Sequence, residues 1–291
     1  MKELSKQSFE EIRLWIYRNA RPLDLALWQY YFENGSKDSV VLAISYYQNI
    51  DGGFGNTIEP SGWSAESTPY NVWFVVRILC MIDYTDTTNK VIQGMFRYLE
   101  NTEYQSDFGW FFITPGRGWD DRIHENDFQS IGITAIISGY ILRSADKKSR
   151  IYQRAFEYAK MLIEKLPSTK FGDMGIRGYC KLLEDIEGAG MTGEFNYDYL
   201  CRKMHEVIWN KIHDRTNEFF MHNPLAFVFS PTSRFYKENK QEVDTALDQI
   251  IDQMPTVGVW DIPWNEVSSI SENWWKSFEA IAKLAQLKRF G

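Results

Sequence analysis

Segments with helical periodicity recur along the whole chain, and they alternate between two kinds. The first kind is amphipathic and covers residues 9–19, 37–48, 90–100, 150–166, 197–212 and 240–254. In the fourth of these, Ile151, Ala155, Tyr158, Leu162 and Leu166 share one face, while Arg154, Glu157, Lys160 and Glu164 lie elsewhere. Such a helix buries one side and wets the other. The second kind is apolar nearly all round and covers residues 22–32, 69–82, 130–142, 173–183, 224–236 and 272–287. A helix without a polar face must be covered on both sides. Strand patterns are almost absent.

Strict interleaving of outer and inner helices, six times over, predicts an all-α chain. The arrangement that accounts for it most simply is a single (α/α)6 toroid domain over residues 1–291, with six outer and six inner helices. An open superhelical solenoid is the rival, but it implies a more regular repeat length than the irregular Gly-containing junctions show. Start signals support the boundaries. Thr68-Pro69 and Asn223-Pro224 each place a capping side chain before a proline at the first helical position, and Ser130 and Ser271 are candidate caps. Pro167 and Pro255 are expected to stop two outer helices.

Composition excludes some functions. A net charge of −7 argues against a nucleic-acid partner, which needs a basic surface. The longest apolar stretch, residues 131–142, is too short to span a bilayer. No export signal is evident at the N-terminus, and Cys80, Cys180 and Cys201 form neither a disulfide framework nor a C-x-x-C pair. A cytoplasmic protein is therefore expected. The four histidines show no metal-ligand spacing, so neither metal nor cofactor is expected.

Three connections are long, at residues 49–68, 101–129 and 255–271, and all run from an outer helix into an inner one. Long loops in compact proteins usually carry function. Nine of the eleven tryptophans lie in these loops or in inner helices, which suggests an aromatic cavity wall. Aromatic faces stabilise a carbocation or stack on the apolar face of a sugar. Acidic residues share the loops, and paired carboxylates in different environments divide acid and base roles. The candidate catalytic residues are Asp51, Glu59, Asp120 and Asp121; the candidate substrate-binding residues are Phe54, Trp63, Trp119, Trp260, Trp264 and Trp275. In a toroid the three loops would meet at one mouth.

The stretch Gln48-Asn49-Ile50-Asp51-Gly52-Gly53-Phe54-Gly55 resembles the Gln…Gly-x-Trp/Phe repeats of squalene–hopene cyclases and of protein prenyltransferase β subunits. Gln48, Gly53 and Phe54 match the repeat, and Gly258 with Trp260 is a weaker echo. With Glu59-Pro60 following, the stretch is also similar to bacterial proteins grouped with squalene cyclases. The resemblance implies a toroid, with Gln48 ending an outer helix and the glycine and aromatic turning the chain into an inner one. The superfamily's catalytic signatures do not carry over. No Asp-x-Asp-Asp run exists, and Asp120-Asp121 opens an Asp-Asp-x-x-Asp pattern that breaks at His124. Neither Cys180 nor Cys201 follows an aspartate at zinc-site spacing.

Three readings of function follow. The chain binds or transforms an apolar, isoprenoid-like substrate in an aromatic cavity; or it is a carbohydrate-active enzyme working through rim carboxylates; or it is a non-catalytic binding scaffold. A closed apolar pocket would favour the first, and an open acidic cleft the second.

Overall fold

The computed structural model describes residues 2–113, 128–166, 172–213, 223–266 and 268–291. Among them the helices are α1 Lys6–Asn19, α2 Pro22–Phe32, α3 Lys37–Ser45, α4 Pro69–Met81, α5 Lys90–Asn101, α6 Phe128–Ser144, α7 Arg150–Lys165, α8 Asp173–Gly188, α9 Tyr197–His213, α10 Lys240–Asp252 and α11 Ser269–Phe290. Strand in the described residues amounts to one two-residue hairpin, β1 Gln105–Ser106 against β2 Gly109–Trp110. The protein is mostly helical, as the alternating pattern predicts.

One expected helix is not there. Residues 224–236 form a single 3-10 turn, Pro224–Ala226, followed by irregular turns. Asn223 does cap that turn, accepting from the Leu225 amide at 3.0 Å. Pro231 then removes a helical donor in mid-segment, and the run of Ser230, Thr232 and Ser233 offers hydroxyls that compete for the backbone. Two capping expectations also need correcting. Ser130 lies inside α6, and the cap of α11 is Ser268 rather than Ser271.

The chain divides into two compact units, Met1–Ala43 with Ile212–Gly291, and Ile44–Lys211. In the second unit α6 packs against α4, α7 and α8, and α5 against α7. Helices α4 and α6 are buried nearly all round, whereas α5 and α7 bury one face. Glycine brings α6 and α8 together: a methyl group on Gly178 would lie 2.6 Å from the Gly132 carbonyl oxygen. The chain entering α6 is tied to that helix by its hydroxyls. Ser130 accepts from the Phe112 amide at 2.8 Å, and Thr134 accepts from the Trp110 amide at 3.0 Å. A buried carboxylate, Asp185 on α8, bonds Lys181 at 2.6 Å and lies 3.3 Å from Arg143 on α6.

The first unit joins both ends of the chain. Helices α1 and α2 pack against each other and against α11, and α10 packs against the 224–226 turn. Trp28 is fully buried and stacks on Phe9 at 5.3 Å. Arg21 and Asp24 form a buried ion pair at 2.8 and 3.0 Å at the start of α2. Glu33, just past α2, accepts hydrogen bonds from Arg13 and Tyr17 of α1 and from Trp28.

Candidate functional site

Thr68 caps α4 through the Asn71 amide, with Pro69 following as the spacing predicts. The loop before that cap is closely tied. Gln48 donates from Nε2 to the carbonyls of Gly52 and Val91, both at 2.9 Å, which clasps the turn to the first residues of α5. Gly52 has φ +93°, and a methyl group there would lie 2.1 Å from the Gly94 carbonyl oxygen. Only glycine satisfies both demands. Phe54 is fully buried, and its carbonyl accepts from Asn71 at 2.9 Å. The Gln48–Phe54 stretch therefore serves as a structural clasp between a turn and α5.

That clasp builds one wall of an open groove. Asp51 is exposed, and its Oδ1 accepts from the Gly53 amide at 2.8 Å and from the Ser67 hydroxyl at 2.9 Å. These two bonds fix the carboxylate at the groove edge. Glu66 lies on the same wall, and Arg97, Tyr98, Glu103 and Tyr104 come from α5 and the residues beyond it. The groove encloses about 590 Å³. Tyr98 donates to the Ser67 carbonyl at 2.9 Å and accepts from the Thr102 hydroxyl at 3.2 Å. Burial first, and then the charges of Asp51 and Glu103, hold the Tyr98 phenol above its ordinary range. The Tyr104 phenol is likewise raised, by burial and then by Glu103 and Glu66. Three carboxylates and one guanidinium thus surround two tyrosines.

Glu59 sits elsewhere in the same unit and is 1% exposed. It accepts from the Ser61 amide at 3.1 Å and from the Tyr70 hydroxyl at 3.3 Å. Tyr70 stacks on Trp73 at 5.2 Å and meets Phe112 edge-on at 4.8 Å. Trp63 is half exposed, at 51%.

The remaining sequence candidates are distributed differently. Trp119, Asp120 and Asp121 lie outside the described residues. Trp260, Trp264 and Trp275 belong to the first unit. Trp260 is buried and donates to the Ile250 carbonyl at 2.8 Å, so its ring is fixed. Trp264 meets Trp275 edge-on at 5.3 Å and donates to Glu266 at 2.8 Å. Exposed Asp261 pairs with Lys276 at 2.8 Å, which holds its carboxyl below the usual range.

Sequence reading missed Tyr98, Tyr104 and Glu103. They sit where α5 runs into its loop, and their types carry no spacing signal of a site. It also missed the buried Asp24, whose signal was legible as a carboxylate within an apolar segment with a cation three residues before it, and the buried Asp185, which lies two residues beyond the 173–183 segment. Among the described residues no group of three or more His, Cys, Asp or Glu side chains is placed to hold a metal ion. No described helix is long and apolar enough to cross a membrane. All three cysteines are free thiols. Comparison with models of protein families, with curated proteins and with solved structures gave no match.

Proposed function

We propose that the chain binds, and through its carboxylates acts on, an oligosaccharide in the groove between Asp51 and Tyr104. The observation that carries this reading is the groove itself, open and lined by Asp51, Glu66 and Glu103 around Tyr98 and Tyr104. Sugars pair a ring of hydroxyls with an apolar face, and carboxylates plus tyrosine rings answer both. Carboxylates on the two walls are the equipment of a glycoside hydrolase, in which one group gives a proton and the other activates water or attacks. Charge narrows the substrate. Three carboxylates against one guanidinium repel a uronate chain and favour a neutral or amino-sugar chain. That argues for hydrolase or binding chemistry over a uronate lyase.

The test is calorimetric titration with glucosamine, glucose and galacturonate hexamers. The expected order is glucosamine over glucose, with no galacturonate binding, and a loss of about tenfold for Tyr104→Ala, the upper range of one aromatic contact. Binding of galacturonate alone would overturn the reading. Binding without hydrolysis would leave a scaffold in place of an enzyme.

A second reading rests on Glu59. This buried carboxylate beside Tyr70, Trp73 and Phe112 suits protonation of an apolar, isoprenoid-like substrate next to aromatic faces. We further infer that the eleven α-helices of the described residues close into a ring of outer and inner helices, with irregular turns at 224–236 in place of one inner helix, over the open solenoid. Packing of α1 and α2 on α11 supports closure, because the two ends of an open array share no contacts. The free thiols suit a reducing compartment.

A further inference from the structure

A second hollow lies in the same unit as the groove and encloses about 520 Å³ between the β1–β2 hairpin and α7. Asp107, in the turn of the hairpin, and Glu157 of α7 supply its carboxylates, and Tyr158 and Met161 add apolar surface. Its frame is fixed by the protein. Tyr158 donates to the Ser106 carbonyl at 2.8 Å and meets Trp110 edge-on at 4.9 Å. Arg154 donates to the Glu100 carbonyl at 2.7 Å and to Gln105 Oε1 at 2.8 Å. The guanidinium is thus turned toward the end of α5 and the hairpin, while the carboxylates of Asp107 and Glu157 are exposed.

The hollow and the groove adjoin. Tyr104 lines the groove and Ser106 the hollow, and two residues of extended chain span only about 7 Å. The Tyr104 carbonyl accepts from the Phe111 amide at 3.0 Å, so the hairpin ladder runs on through this shared wall. Helices α5 and α7 pack side by side, and their water-facing residues, Arg97 on one and Glu157 on the other, border the two depressions.

We propose that the hollow is a second subsite for the sugar chain held in the groove, which crosses the hairpin from one to the other; the proposal rests on the oligosaccharide reading of that groove. Both depressions carry an excess of carboxylate. Three carboxylates face Arg97 in the groove, and Asp107 and Glu157 stand against Arg154 in the hollow. A chain with a positive amine on each ring gains from both, whereas a short one reaches only the first. The substrate class that follows is an amino-sugar chain too long for the groove alone.

The experiment is calorimetric titration of the full chain with a glucosamine trimer and with the hexamer. The hexamer is expected to bind about tenfold more tightly than the trimer. Asp107→Asn combined with Glu157→Gln, both at exposed positions, should weaken the hexamer about fivefold, the worth of two exposed charge contacts, and leave the trimer unchanged. Asp51→Asn should weaken both oligomers. Equal affinity for the two lengths, or a paired variant that spares the hexamer or weakens the trimer as much, would overturn the second subsite and leave the groove reading standing. Binding of neither oligomer, or no loss in Asp51→Asn, would remove the groove reading and the second subsite with it.

Discussion

At the residue scale, Gly52 is the position where backbone and packing demands coincide. A side chain there meets both a left-handed φ and the backbone of Gly94. Gly190 has φ +67° and open space around it, so it isolates the first effect. Gly190→Ala is expected to cost about 1 kcal/mol, the left-handed penalty alone. Gly52→Ala should cost about 3 kcal/mol or more, because the turn must also move off α5. Urea denaturation of both variants measures the difference, and equal losses would show that α5 yields easily. A sharp turn at Gly52-Gly53 was legible in the sequence, since two successive glycines follow an amphipathic segment. Its partner was not legible, because nothing in the pattern says that Gln48 will reach the Val91 carbonyl.

A second residue-scale expectation concerns acid. Burial opposes ionisation of Glu33, but hydrogen bonds from Tyr17, Arg13 and Trp28 outweigh it and hold the carboxyl below its ordinary value near 4.5. Folding therefore gains from the ionised form above that value and loses the gain as pH falls through the lower, folded value. Glu33→Gln should be less stable than the wild type at neutral pH, and the difference should shrink below about pH 4.5. Melting curves across that range check it.

At the element scale, the alternation of apolar and amphipathic segments was the strongest signal, and it placed helices over most of the chain. Where it failed, at residues 224–236, hydrophobicity and the Asn223-Pro224 start signal were the guides. Local chemistry at Pro231 and the neighbouring hydroxyls outweighed them. Periodicity is equally blind to buried charge: the Arg21–Asp24 pair at the start of α2 is all but excluded from water. Asp24→Asn removes the carboxylate from a buried ion pair and should cost about 3–5 kcal/mol. The exposed Lys2–Asp252 pair is the control, and Asp252→Asn should leave denaturation unchanged within error.

At the scale of the whole molecule, the first unit draws on both ends of the chain, so α1 and α2 depend on α11 for burial. Truncation after residue 268 should expose the apolar faces of α1 and α2. Amide protection in both helices should then be lost, whereas an open array would lose only its terminal repeat. Loop length pointed to the connection at residues 49–68, and that loop forms one wall of the candidate groove, with Asp51 at its edge. Tyr98, at the end of α5, and Glu103 and Tyr104, just beyond it, complete the groove, which no count of loop tryptophans could reveal. The most direct test of the account is hydrogen exchange with and without saturating glucosamine trimer. Binding in the groove predicts slowed exchange at residues 49–53, 66–67 and 97–104, with the rest of the second unit unchanged. No protection, or protection confined to residues 59–61, 70–74 and 110–113 around Glu59, would contradict it.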